Sequence, residues 1–161
     1  MIKFSEEKRK KILEDWQKLL LANYPVEPVI EITDYIEECT KALLGFVEAY
    51  YEGREVDVDE AVDDLMRFLA TDKNLTPGES IAQLLHLKKL LLKTFPDMTI
   101  DDFVKISNAI DSLACKAFNK YMEAREHIYS LRVKEKDKTI EMMRKAMDLY
   151  EQYYGHLSLE P

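Results

Sequence analysis

The sequence predicts an all-α fold, a helical bundle of five to six helices with a long C-terminal helix. Three observations carry this reading. Four glycines and five prolines among 161 residues are too few for the tight turns of an all-β chain. Apolar residues recur in steps of three and four along most of the chain, and no segment shows a convincing period of two. Between Pro96 and Gly155 there is neither proline nor glycine. Proline breaks a helix through its missing N–H and ring clash, glycine through its backbone entropy, so nothing in that stretch interrupts one.

The elements follow in order. Ser5 is placed to cap the first helix, and Ile12, Leu13, Trp16, Leu19 and Leu20 recur behind it at helical spacing. Asn23-Tyr24-Pro25 stops that helix, and Pro28 keeps the next segment extended. The second helix opens near Thr33. Its stripe is Ile32, Tyr35, Ile36, Cys39, Leu43, Phe46, Val47 and Tyr50, and Gly53 ends it in the usual C-terminal place. A shorter third helix runs from about Asp57 to Ala70, with Ala61, Val62, Leu65, Met66 and Leu69 on one face, and a loop follows to Leu75.

Thr76-Pro77-Gly78-Glu79 is the clearest local signal. Thr76 caps, Pro77 takes the first helical position and Glu79 closes a capping box. The fourth helix then presents Ile81, Leu84, Leu85, Lys88, Leu91, Leu92 and Phe95, and Pro96 closes it. Thr99 with Asp102 opens the fifth helix in the same way. Its buried face is Phe103, Ile106, Ile110, Leu113, Ala114, Ala117, Phe118 and Tyr121. From Thr99 to about Tyr153 the chain runs either as one very long helix or as two nearly end to end. Arg132 to Lys138 is a polar crossing with one apolar residue. Beyond it Ile140, Met143, Met147, Tyr150 and Tyr154 form a two-heptad seam. A seam this short suits a coiled coil and packing back onto the domain equally.

Composition narrows the function classes. A chain of this length makes one domain that buries about 70% of the surface its unfolded form exposes. The net charge of −8 argues against nucleic acid as the main partner, because phosphate binding needs a concentrated basic surface. The basic run Lys8 to Lys11 stands beside Glu6 and Glu7, and the acidic stretch Glu55 to Asp64 fits a helix start and its outer face; both read as solvated. Cys39 and Cys115 lie far apart without paired spacing. They read as reduced, small hydrophobes of a cytoplasmic protein. The start, Met-Ile-Lys-Phe-Ser-Glu-Glu, has no signal-peptide pattern, and apolar clusters such as Leu90-Leu91-Leu92 are too short to span a bilayer. No membrane insertion is expected.

Chemistry-bearing patterns are sparse. A di-iron carboxylate bundle needs Glu-x-x-His on two helices, but Gln83, Ala124 and Tyr153 stand three residues before His86, His127 and His156. No His-Glu-x-x-His zinc pattern and no glycine-rich phosphate loop occurs. His86 lies in the fourth helix off its main stripe and reads as a surface or boundary histidine rather than a haem ligand. Carboxylates such as Glu37, Glu38, Glu123 and Glu126 are plentiful, and their abundance makes any pairing uninformative. No catalytic residues, metal ligands or cofactor are assigned, and the chain does not read as an enzyme.

Two clusters read as binding signals. Tyr121, Met122, Arg125, Tyr129 and Arg132, spaced by three and four, set two tyrosines and two arginines on or near one helix face, with Glu126 alongside. Core tyrosines flanked by salt-bridging arginines are the competing reading, and the stronger one for Tyr121. Met142, Met143 and Met147 supply flexible thioethers that suit an adaptable helix–helix surface, though ordinary packing explains them too.

Four segments resemble the amino-terminal sensor domain of the RsbRD type, from the RsbT co-antagonist proteins of bacterial stress signalling. Ile12-Leu-Glu-Asp-Trp16 followed by Ala22-Asn-Tyr-Pro25 is similar to that family's opening helix and its stop. Leu65-Met-Arg-Phe-Leu69 leads into Leu75-Thr-Pro-Gly-Glu-Ser80, and Gln83-Leu-Leu-His-Leu-Lys88 follows where the family has an apolar run ending in lysine. Tyr121-Met-Glu-Ala-Arg125 through Leu131-Arg-Val133 resembles its closing signature. The resemblance implies a cytoplasmic, non-catalytic input domain of a stressosome sensor. Related sensor domains are haem-free, globin-like and dimeric, with a linker helix feeding a STAS output domain. No such output domain follows here, which points to a stand-alone member acting in trans or to an excised domain.

The expected organisation is therefore a sensor domain over residues 1–138 and a linker-like helical extension over 139–161. The expected function is a regulatory module of signal transduction. Its partner-binding residues are Tyr121, Arg125, Tyr129, Arg132, Ile140, Met143, Met147 and Tyr150, its partner is another protein or a second copy, and an unknown small ligand fits the same role. The alternatives are an accessory protein of an anaerobic respiratory, sulfate-reduction type electron-transfer complex, or a haem- or metal-binding helical protein.

Overall fold

In the computed structural model, which describes residues 2–22, 29–72 and 74–155, five α-helices follow one another. They are α1 (Glu6–Leu21), α2 (Ile30–Tyr51), α3 (Asp59–Ala70), α4 (Pro77–Thr94) and α5 (Ile100–Tyr150), and one π-helical turn, Glu151–Gly155, follows. Among the described residues there is no strand. The all-α reading and the long C-terminal helix hold, and the proline- and glycine-free stretch forms one unbroken helix of 51 residues. The stop expected at Asn23 to Pro25 and the extended segment at Pro28 lie outside the described residues.

Local chemistry sets most helix ends. The Ser5 hydroxyl accepts from Lys8 N–H, and Thr76 Oγ1 accepts from Glu79 N–H at 3.1 Å with Pro77 just inside α4. At α5 the box is reciprocal: Asp102 N–H donates to Thr99 Oγ1 at 3.2 Å and Thr99 N–H donates to Asp102 Oδ2 at 3.4 Å. Just past its C-cap Glu52, helix α2 is stopped by Gly53, whose φ of 76° lies where glycine sits without strain. Arg54 N–H reaches back to Ala49 O, and Gly53 N–H to Tyr50 O. This is the paired arrangement of a Schellman cap.

Two starts differ from expectation. Helix α2 begins at Ile30 rather than near Thr33, because Thr33 does not cap: its hydroxyl donates to Val29 O at 3.3 Å, inside the helix's first turn. Helix α3 begins at Asp59 rather than Asp57, whose carboxylate instead accepts from Asp59 N–H at 3.0 Å.

The chain divides into two compact units, Met1–Ala124 and Arg125–Pro161, with the division inside α5. The boundary expected at Lys138 lies within the second unit. In the first unit α1 packs on α2 and α4, α2 on α3, and α3 on α4. Ile106, Ala109, Ile110, Leu113, Ala117 and Tyr121 of α5 join the same core. Trp16 is fully buried there, and its indole N–H donates to Gln83 O at 2.9 Å, tying α1 to α4. The Arg9 guanidinium grips both carboxylate oxygens of Glu48, clamping α1 to α2. Lys88 pairs with Asp111 at 2.6 Å and Lys116 with Asp59 at 3.3 Å, fixing α5 against α4 and α3.

Several faces are turned from the predicted ones. On α4 the buried residues are Ser80, Leu84, Leu87 and Leu91, while Leu85 and Leu92 are exposed and Lys88 is half-buried in its ion pair. On α2, Tyr35 and Tyr50 stand at the surface and Tyr51 is buried. On α5, Phe118 is exposed and Ala109 takes an inner place. Phe4, Val58 and Leu75, outside the helices, complete the core.

In the second unit the helix continues from Arg125 to Tyr150 before the π-helical turn. Every side chain from Tyr129 to Tyr154 is exposed. The Thr139 hydroxyl donates to Glu135 O, Lys145 pairs with Glu141, and the rings of Tyr150 and Tyr154 lie tilted with centroids 5.1 Å apart. Among the described residues no helix is long and apolar enough to cross a membrane.

Candidate protein-contact face of helix α5

The residues singled out by sequence fall on both sides of the division. Tyr121 is fully buried, 0% exposed, in the core of the first unit. Its ring contributes to the fold and presents no surface, which corrects its placement among the partner-binding residues. Arg125 is half-buried at the start of the second unit. Tyr129, Arg132, Ile140, Met143, Met147 and Tyr150 are all exposed along that unit's helix.

Unbroken helix over this segment fixes a phase that sequence left open. Two successive helices could differ in phase across the polar crossing, whereas one helix cannot. Tyr129, Val133, Lys136, Ile140, Met143, Met147 and Tyr150 then follow in strict alternation of four and three. The seam is thus just over three heptads long rather than two, and one polar residue, Lys136, interrupts it. Its exposure is large: Tyr129 is 71% exposed and Met143 62%. Leu131, Met142 and Leu149 are exposed as well, but at f and c positions of the same heptad phase they lie off this seam, on the other side of the helix. Leu149 was missed in sequence, although it stands two turns beyond Met142 and one beyond Lys145 and continues their row.

His86 is half-buried and His127 exposed, while His156 lies outside the described residues. Among the described residues no group of three or more His, Cys, Asp or Glu side chains could hold a metal ion. The groups with displaced pKa values sit in the first unit. Burial pushes the Cys39 thiol up to about 11 and the Tyr35 phenol up to about 12. The Tyr35 hydroxyl also donates to Asp64 O at 2.8 Å, joining α2 to α3. Burial likewise raises Tyr51, and its hydrogen bond lowers Asp102. The hydrogen bonds that Arg9 donates to the Glu48 carboxylate raise its guanidinium further. Tyr35 and Cys39 line one surface recess with Glu38, Asp57, Glu60 and Asp64, and Asp102 lines a separate one beside Lys8 and Phe95.

No family model matches the chain, and no solved structure matches it significantly. It is 41% identical over 140 residues to a protein of Archaeoglobus fulgidus described as "Uncharacterized protein". The match covers 87% of this chain and 92% of that protein.

Proposed function

We propose that this chain, which belongs to one family with that uncharacterized Archaeoglobus fulgidus protein, is a non-catalytic regulatory module that works through protein–protein contacts of its long helix. One observation carries the reading. From Tyr129 to Tyr150 large apolar side chains line one exposed helical face in heptad steps. In proteins most of a helix's stability comes from packing of its apolar face. A long apolar stripe left open to solvent marks a surface that another protein covers. The likeness to RsbRD-type sensor domains supports a signalling role of the same kind, in which the bundle takes up a signal and the helix relays it. Relay of this kind requires two states with different contacts at the helix.

The test is truncation after Lys138, which removes Ile140, Met143, Met147 and Tyr150 and leaves the first unit intact. Trp16 fluorescence should show a folded bundle. Light scattering should show weaker self-association, and pull-down should lose the protein partners captured by the full chain. Capture of the same partners by the truncated chain would contradict the reading.

A further inference from the structure

We infer that the partner of this face is a second copy of the chain, and that residues 133–150 of the two copies pair as an antiparallel two-stranded coiled coil centred between Glu141 and Met142. The inference rests on the contact reading above and adds partner, direction and register. The heptad phase places Val133, Ile140 and Met147 at a positions and Lys136, Met143 and Tyr150 at d positions. Asp137, Arg144 and Glu151 then fall at the flanking e positions.

Direction follows from Lys136. In a parallel pair equivalent residues meet, so Lys136 would face Lys136 of the other copy inside the seam, a juxtaposition of like charges. In the antiparallel pair a residues face d residues. Val133 meets Tyr150, Lys136 meets Met147, and Ile140 meets Met143, each twice by symmetry. The Lys136 stem then lies along a thioether while its ammonium reaches the edge.

Register follows from the e positions, which face one another in an antiparallel pair. Centred between Glu141 and Met142, the pairing sets Asp137 against Arg144 of the other copy, twice. Neither side chain has an ion-pair partner within the chain among the described residues; the local pair there is Lys145 with Glu141. A slip of one heptad in one direction sets Asp137 against Asp137. A slip in the other sets Arg144 against Arg144, with Asp137 against Glu151. Of these registers only the first is charge-complementary, and it is self-complementary, as a two-fold contact requires.

Disulfide trapping tests this in the full chain, with Cys115→Ser as background. Val133→Cys and Tyr150→Cys variants are mixed under mild oxidation, and Trp16 fluorescence confirms that each is folded. The expected result is a Val133→Cys to Tyr150→Cys cross-link that outpaces either self-link, with a two-chain mass by light scattering. Asp137→Arg should raise the dissociation constant about tenfold, and adding Arg144→Asp to the same chain should restore it. Faster self-linking of Val133→Cys would overturn the direction, and failure of the charge swap to restore association would overturn the register. A single-chain or four-chain mass would overturn the pairing. If partner capture still depends on residues beyond Lys138, the contact reading stands even when the pairing falls.

Discussion

The Tyr51 hydroxyl donates to Asp102 Oδ1 at 2.7 Å while accepting the Ile2 N–H at 3.2 Å. One phenol at the end of α2 therefore holds both the N-terminal segment and the first turn of α5. Asp102 is also half of that helix's capping box. The phenol's own place is set by Phe4, whose ring lies 6.3 Å from that of Tyr51 and 5.2 Å from that of Phe95.

Tyr51→Phe keeps the ring and removes the junction. It should cost about 1–2 kcal/mol, as expected for a hydrogen bond to a charged acceptor, measured by urea unfolding. The pH dependence has a definite sign. Asp102 titrates below its ordinary 3.8 in the fold, chiefly because of the Tyr51 bond. Its contribution is complete above the unfolded value and is lost as pH falls through the lower folded value. The acid limb of stability below about pH 4 should be shallower in Tyr51→Phe than in the parent chain.

Trp16 is the single tryptophan and is fully buried. Native emission should be blue-shifted and insensitive to iodide, and unfolding should shift it to the red. Trp16→Phe removes the donor to Gln83 O with most of the packing retained. It should cost about 1 kcal/mol or somewhat more, read by thermal or urea unfolding followed by circular dichroism.

Substitution of two glycines should act with opposite signs. A Cβ added at Gly45 or Gly53 meets nothing within 4 Å, so backbone conformation decides each case. Gly45 lies inside α2, where alanine restricts the unfolded chain and should stabilise by about 0.5–1 kcal/mol. Gly53 has φ of 76°, and Gly53→Ala should destabilise by about 1 kcal/mol. Paired urea titrations settle both.

The two thiols should separate cleanly. Cys39 is buried, with a pKa pushed up to about 11, whereas Cys115 is exposed. Since the thiolate is the reactive form, a chromogenic disulfide reagent at pH 8 should label Cys115 promptly in the native protein. Cys39 should react only after denaturant is added. Prompt reaction of both thiols without denaturant would contradict the packing between α2 and α3.

Legibility in the sequence followed physical cause. The caps at Thr76 and Thr99 were plain because the residues that make them are local and of few types. Helix from Thr99 onward was plain because its breakers are absent; the sequence leaves open whether it runs as one helix or two, and the structure makes it one. The inward face of α4 was not, because Leu84, Leu85 and Leu87, then Leu90, Leu91 and Leu92, put leucine at nearly every angle around the helix. Burial of Ser80 and Leu87 is decided by neighbouring helices. Tyr50 and Tyr51 presented the same ambiguity, settled by the hydroxyl bond to Asp102. The contact face was legible only as fragments. Its halves are separated by a charged crossing, and their common phase depends on helix continuity, which composition permits but does not require.

Amide hydrogen exchange along residues 133–150 of the full chain tests the central claim most directly. A solitary helix with no packed face opens readily and exchanges close to the rate of unstructured peptide. Covered by a second chain, the amides of these residues should be strongly protected at high protein concentration. That protection should fall on dilution and vanish in an Ile140→Asp, Met147→Asp double variant whose first unit stays protected. Exchange of this segment at near-unstructured rates at every concentration, with the first unit protected as before, would contradict the account.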